Sequence, residues 1–320
     1  MIAIVTGAAG FLGRAVVARL LAEGTEVLAV DDESTPGSSL SALRRAHGPT
    51  ALLHAHRCDL TRDDPFSGLW GRFQVAEIWH LASPASPPLY KARQRDTLRL
   101  GGAVLDRLLA RAERDGARLL FASSSEVYGN PPASEHPQRE EYVGAVSCNG
   151  PRSCYDEAKR YGEAMCVAWH HEAGVDVRLP RIFNTYGPGM AREDGRVVSA
   201  LLGAALAGEP FYLHGGGIQT RSFSYLDDTV DGLFRVMRSP DLAAVPVNVG
   251  SDREVTLAEL VETVERVLDV RVDVRTAERQ DRDDPVRRRP DLGRLRALGW
   301  SPQVSLDEGL RLTAFWMRGA

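Results

Sequence analysis

The chain has very little lysine. Of its 39 basic residues only Lys91 and Lys159 are lysines; the rest are arginine. An ammonium kept where guanidinium fills nearly every other basic position suggests a role that arginine does not fill. Cysteine is scarce as well. Cys58, Cys148, Cys154 and Cys166 form no C-x-x-C pair, which argues against a disulfide framework and for reduced thiols. No metal is expected. No apolar run approaches the roughly 20 residues of a membrane span. Met1 abuts the first apolar run, so neither a leader nor an anchor is expected, and the location expected is cytoplasmic. Nor is positive charge in excess. A formal net charge of −4 with mixed signs describes a solvated surface, not a nucleic-acid footprint. Internal repeats and low-complexity linkers are missing. What remains is 320 residues at 43% hydrophobic, enough to bury a sizeable core as one large or two smaller domains.

The first such core element is Ile2-Ala3-Ile4-Val5, a short apolar run that reads as a buried strand. It feeds into Thr6-Gly7-Ala8-Ala9-Gly10-Phe11-Leu12-Gly13 and then a helical pattern through Val16, Val17, Leu20 and Leu21. Strand, glycine-rich turn and helix are the context of a dinucleotide fingerprint. Gly7, Gly10 and Gly13 permit a tight turn and the approach of a pyrophosphate to the helix N-terminus. The spacing is G-x-x-G-x-x-G. A second strand, 26–30, ends in Asp31-Asp32. Asp31 is placed to accept from both adenosine ribose hydroxyls, and its charge would repel a 2′-phosphate, which favours NAD over NADP. Asp59 is a candidate partner for the adenine amino group.

Strand and helix then alternate. Glu77 to Ser83 ends a strand, and Ser83-Pro84-Ala85-Ser86-Pro87-Pro88 breaks into a loop. A long helix follows, with Thr97, Leu98, Val104, Leu105, Leu108 and Leu109 on its apolar stripe. The strand 119–122 delivers Ser124, Ser125 and Glu126 to the carboxyl end of the sheet, and a helix from Tyr155 to His171 and a strand 176–179 come next. Trp79 and Trp300 read as core. The economical fold is α/β, a Rossmann-type doubly wound parallel sheet with a smaller C-terminal lobe. Residues 1–180 with about 222–250 are expected to form the cofactor domain. The lobe takes about 181–221 with 251–320.

Tyr155 and Lys159, four residues apart, share one helix face. A phenol with an ordinary pKa of about 10 needs help to act as a base near neutral pH. An ammonium one turn away favours the phenolate.

Together these stretches resemble the extended short-chain dehydrogenase/reductases, and within them the UDP-glucuronate decarboxylase (UDP-xylose synthase) group. The likeness runs almost end to end. It is carried by His80-Leu81-Ala82-Ser83-Pro84-Ala85-Ser86-Pro87, Ser125-Glu126-Val127-Tyr128-Gly129 and Pro151 to Arg160. Arg181 to Pro188, Gly195 to Ser199, Gln219 to Phe223 and Arg288-Arg289-Pro290-Asp291 extend it. The resemblance implies NAD-dependent oxidation at C4 of a nucleotide sugar, loss of the C6 carboxylate from the 4-ketone, C5 protonation and return of the hydride. It implies Tyr155 as base, Ser124 on the same oxygen, and Lys159 on the phenolate and nicotinamide ribose. Glu126 and Arg288 would handle decarboxylation and C5 protonation. The cofactor pocket would add Phe11, Leu12, Asp32, Thr35, Leu60, Leu81, Ala82 and Ser83. Arg99, Ser125, Asn184, Arg196, His214 and Arg221 would meet the substrate. In this family the faces of 97–110 and 158–169 pack across a two-fold axis, so a homodimer is expected. Gly101 stands where the family has Asn and His214 where it has Tyr, and Asp31-Asp32 replaces the usual Asp-Asn. The alternatives are a nucleotide-sugar C4 epimerase, such as a UDP-glucuronate 4-epimerase, a 4,6-dehydratase, or a non-catalytic NAD-binding protein. An epimerase needs no acid–base pair at C5, and a dehydratase usually has Asp-Glu where this chain has Ser125-Glu126.

Overall fold

The computed structural model describes residues 1–50, 52–64, 71, 73–277 and 286–319. Ile2–Thr6 is buried at every position, as an unbroken apolar strand must be when both sheet faces are covered. It lies within a parallel sheet ordered Pro246–Val249, Val177–Ile182, Arg118–Phe121, Val75–His80, Ile2–Thr6, Val27–Asp31, Leu53–Arg57. The two-residue strand Ser123–Ser124 pairs with the end of Val177–Ile182. The chain builds outward from Ile2–Thr6 through its second and third strands, then crosses to Val75–His80 on the other side. That reversal leaves a crevice at the carboxyl ends of the two central strands. The glycine turn and the proline-rich loop both open into it.

One face of the sheet packs Val16, Val17, Leu20, Val230, Leu233, Phe234 and the expected core residue Trp79; the other packs Val104, Leu105, Leu108 and Cys166. A third cluster gathers Tyr186, Leu201, Phe211, Leu260, Val264 and Leu310 in a smaller lobe. Leu292, Leu295 and Trp300, expected in that lobe, belong instead to the first face of the sheet. The Trp300 indole N–H fixes them there by donating to the Asp228 carbonyl at 2.9 Å.

The long helix expected after the prolines is three helices, Pro87–Ala92, Gln94–Gly101 and Ala103–Asp115. The breaks fall at Arg93 (ψ 44) and Gly102 (ψ −103). Neither residue is helical, and glycine costs a helix about 1 kcal/mol relative to alanine. Gly101 has a packing reason. A Cβ there would stand 2.4 Å from the Ala158 carbonyl oxygen, where its helix crosses Ser153–Ala173. Leu98, expected on the apolar stripe, is 47% exposed. No helix among the described residues is long and apolar enough to cross a membrane.

Candidate active site

The first turn is shaped by what it cannot hold. Gly7 has φ +69°, and a Cβ on Gly13 would lie 1.9 Å from the Gly7 carbonyl oxygen. Only glycine lets the turn close onto the start of Phe11–Ala22, leaving the helix N–H groups open to an anion. Asp31 ends the second strand almost fully buried. Its two carboxylate oxygens accept from Ala9 N–H at 3.0 Å and Glu33 N–H at 2.7 Å. Burial pushes its pKa up, and those two backbone donors pull it back. Asp32 takes Arg93 at 3.2 Å, and Asp59 accepts from the Thr61 N–H at 3.0 Å. The crevice, about 150 Å³, also brings together Gly10, Phe11, Leu12, Thr35, Leu60, Leu81, Ala82 and Ser83.

It opens into a cavity of about 640 Å³ that holds Ser124, Ser125, Glu126, Tyr155 and Lys159 on the sheet side. Asn184, Arg196, His214, Arg221 and Arg288 reach it from the segments beyond the sheet. Burial raises the Tyr155 phenol to about 12, with a hydrogen bond from Ser124 the largest opposing influence. The Ser124 hydroxyl itself accepts from the Glu126 N–H at 3.2 Å. The ammonium of Lys159 does not reach the phenol as expected. It donates to the Ala122 carbonyl at 2.9 Å and stands 5.5 Å from the Tyr155 ring centre. The shared helix face is present, but the strand-end carbonyl is the partner in reach. Burial lowers Lys159 to about 8. Its charge is therefore adjustable near working pH.

One residue past Ser125 the chain builds a charge cluster. Arg288 grips Glu126 with both guanidinium nitrogens, Nη2 at 2.8 Å from Oε2, and Arg152 binds the same carboxylate. All three are nearly buried, with side-chain exposures of 4%, 13% and 8% for Arg288, Glu126 and Arg152. Burial alone would raise the Glu126 carboxyl, yet Arg288 and Arg152, with Arg221 behind them, bring it down to about 2. Glu126 is an ionised anchor between two fixed cations. Although the whole chain is acidic, Lys91, Arg152, Lys159, Arg196, Arg221 and Arg288 line this cavity against Glu126 as its one carboxylate among the described residues.

The family model described as the NAD dependent epimerase/dehydratase family matches residues 3–250. The chain belongs to that family. Among curated relatives it is 40% identical over 316 residues to UDP-glucuronic acid decarboxylase 1 of Xenopus tropicalis, covering 98% of this chain and 72% of that one. UDP-glucuronic acid decarboxylase 5 of Arabidopsis thaliana is 41% identical over 311 residues, with 97% and 87% covered. Among solved structures, MoeE5 in complex with UDP-glucuronic acid and NAD aligns at TM-score 0.83 and 26% identity, covering 100% of this chain and 99% of the other. The UDP-glucose 4-epimerase of Thermus thermophilus in complex with NAD aligns at 0.85 and 27%, with 100% of both chains covered.

Within this family member one expected substrate residue lies elsewhere. Arg99 sits on the outward face of Gln94–Gly101, whose inward face is Thr97, Leu100 and Gly101, and it pairs with Asp96 at 3.5 Å. It is half-exposed, absent from the cavity wall, and its one ion pair among the described residues runs through a single nitrogen to Asp96. Conversely, Arg152 and Tyr90 line the cavity without having been singled out from the sequence. Arg152 precedes Tyr155 by three residues and Lys159 by seven, the spacing of one helix face. That signal was readable. Tyr90 stacks on Tyr155 with ring centres 5.1 Å apart, and nothing in the proline-rich loop announces it.

Proposed function

We infer that this chain is a UDP-glucuronate decarboxylase, forming UDP-xylose through a 4-keto sugar with NAD as cofactor. The observation that carries the reading is the Arg288–Glu126–Arg152 cluster directly beyond Ser124, in one cavity with Tyr155. The relatives at about 40% identity support it. An epimerase of a neutral sugar has no use for paired cations beside C6; a UDP-glucuronate 4-epimerase binds the same carboxylate and is told apart by carbon dioxide release.

NAD fits the crevice. The glycine turn, which a Cβ on Gly13 would hold open at the Gly7 carbonyl, brings the helix N-terminus to where a pyrophosphate would lie. Asp31 offers its remaining lone pairs to ribose hydroxyls. The chemistry NAD supplies when bound is reversible hydride removal at the sugar C4. Tyr155 takes the C4 hydroxyl proton, and Ser124 bonds the same oxygen. Once C4 is a ketone, the C6 carboxylate is β to it, and carbon dioxide leaves with its electrons flowing into the C4–C5 enolate. Tyr155 and Ser124 then hold the enolate oxygen. Arg288 and Arg152 orient the carboxylate while Glu126 tempers their grip, so that its charge is free to leave. Held ionised, Glu126 has no proton of its own for C5, a departure from the acid role expected of it. The C5 proton, one per turnover, is therefore drawn from solvent, and Tyr155 gives back the proton it took as the C4 hydroxyl is re-formed. Asn184, Arg196, His214 and Arg221 serve the nucleotide diphosphate end. In this reading the cofactor rests on the sheet and the nucleotide sugar against the smaller lobe. Two copies associate through the helix faces that carry the exposed Leu98 and Tyr161.

Incubation with UDP-glucuronate and NAD, following carbon dioxide and the sugar product by NMR, tests the assignment. UDP-galacturonate formed without carbon dioxide would replace it with the epimerase.

A further inference from the structure

Decarboxylation of a carboxylate to neutral carbon dioxide, with a C–H bond formed at C5, consumes one proton per turnover. The cluster facing that carboxylate includes a carboxyl group without a task. Asp156 lies one helical turn beyond Arg152, the backbone N–H of Asp156 bonding the Arg152 carbonyl at 3.2 Å. It is 7% exposed, and its Oδ1 is sealed from solvent with no hydrogen-bond partner. The groups around it come from several elements. Glu126 faces it from the turn after Ser124, Arg288 from the C-terminal segment, and Arg152 and Glu157 from its own helix end. The phenols of Tyr90 and Tyr155 and the Cys154 thiol complete its surroundings.

The charges of the inner four decide what Asp156 does. With Glu126 ionised and both arginines charged, an ionised Asp156 makes the cluster neutral, and a protonated one leaves it at +1. A neutral buried cluster offers an incoming carboxylate no net attraction, and an ionised Asp156 beside it adds repulsion in a medium that screens poorly. We propose that Asp156 is a positioning residue that takes up a proton as the substrate's carboxylate enters, keeping Arg152 and Arg288 net positive toward it. Burial first, and then the charge of Glu126, already raise this carboxyl to about 7. A second carboxylate pushes it further the same way. Glu126, closer to the guanidinium pair, is driven in the opposite direction, so the two carboxyls are sorted into one permanent charge and one adjustable one. The proposal rests on the decarboxylase reading through the C6 carboxylate of the substrate.

Proton uptake distinguishes this from a merely structural carboxyl. NAD-loaded Tyr155→Phe, in which turnover is slowed by about 10²–10⁴-fold, is titrated calorimetrically with UDP-glucuronate and with UDP-xylose in buffers of different ionisation enthalpy. At pH 7.5, where a carboxyl at about 7 is already about one quarter protonated, UDP-glucuronate should take up more protons than UDP-xylose, by up to about three quarters of one. Its Kd, and not that of UDP-xylose, should weaken above pH 7 by up to about tenfold per pH unit. Asp156→Asn in the same background should erase both differences. In the otherwise wild-type protein it should flatten the alkaline fall in kcat/KM for carbon dioxide release. Equal uptake for the two ligands overturns the proposal and needs no Asp156 variant to be seen, so a poorly folding Asp156→Asn does not shelter it. Carboxylate-dependent uptake that persists in Asp156→Asn also overturns it. Equal uptake in an enzyme that does release carbon dioxide sinks this proposal alone; no carbon dioxide release from the wild type takes the functional reading with it.

Discussion

Replacing Glu126 by Gln tests the charge cluster at its centre. The side chain keeps its shape and one oxygen acceptor, loses its charge, and turns an amide NH2 toward a guanidinium that had been bonded to oxygen. Arg288, Arg152 and Arg221 outweigh the burial that would raise this carboxyl and bring it from its ordinary 4.5 to about 2, a preference for the ionised form in the fold worth about 3 kcal/mol. Little screening discount applies at 13% exposure. Breaking a buried ion pair by removing one partner costs about 3–5 kcal/mol, so both routes lead to a destabilisation of about 3 kcal/mol. The folded-state pKa is depressed, so this stabilisation is fully present above about pH 4.5 and is lost only as pH falls toward 2. Asp156 adds a second dependence of opposite sign. Its folded pKa is raised, so its own penalty grows as pH rises from about 4 to about 7. Without Glu126 it ionises more easily and partly neutralises the arginines. The Glu126→Gln penalty should therefore be near its full value at pH 5 and smaller at pH 8, measured by urea unfolding. On the same samples carbon dioxide release should slow at least about tenfold, while a trapped 4-keto sugar still forms. Untempered guanidiniums hold the departing carboxylate's charge more tightly in the ground state, and about 1.4 kcal/mol of that is a factor of ten. KM for UDP-glucuronate should hold steady or fall, because both guanidiniums lose a competing carboxylate. A variant as stable as wild type at pH 5, releasing carbon dioxide at the wild-type rate, would refute the reasoning.

Tyr155→Phe should lower carbon dioxide release by about 10²–10⁴-fold while NAD still binds, as followed by quenching of intrinsic fluorescence; a wild-type rate would remove Tyr155 from the base role. The wild type should bind NAD more than about tenfold tighter than NADP, since a like-charge juxtaposition costs several kcal/mol, and Asp31→Asn should bring the two affinities together in a direct titration. Leu98→Asp with Tyr161→Asp should convert a dimer to a monomer in sedimentation velocity without changing the fold by circular dichroism. A wild type already monomeric at micromolar concentration would discard that interface.

The sheet and the cofactor crevice were legible because their signals are local. A buried strand, three glycines and an acid at the next strand end lie within the first 31 residues, and each acts on atoms a few residues away. The same holds for Ser124, which the strand 118–121 delivers directly to the larger cavity. Legibility fails where a partner is remote or a helix bends. Arg99 was placed by its correspondence to a family position, but the break at Gly102 and the packing of Leu100 and Gly101 set its helix so that this position faces outward. Lys159 has the right spacing from Tyr155, yet a carbonyl from another element captures its ammonium. The role of Glu126 changes for the same reason. The sequence places a carboxylate beside the reacting centre, but only the approach of Arg288 from 162 residues away, together with Arg152, reveals that it is held ionised.

The scarcity of lysine then acquires a physical meaning. Both lysines of the chain line the same cavity, and the arginines around them have different work. Arg288 holds Glu126 through two nitrogens, and Arg196 holds Asp194 in the same forked way. A planar guanidinium that never gives up its proton suits a charge that must stay fixed in direction and sign. Lys159 is buried to 6% exposure with a carbonyl as partner and no carboxylate, and its pKa comes down to about 8. An arginine there would bring a permanent charge into a site whose partner is a carbonyl and not a carboxylate. The permanent charges of this cavity are assigned to arginine and Glu126, and the adjustable ones to Lys159 in its wall and to Asp156 buried behind Glu126 and Arg152. That division places fixed cations where a carboxylate must be oriented, and movable protons where the charge of the site must change as that carboxylate arrives and leaves.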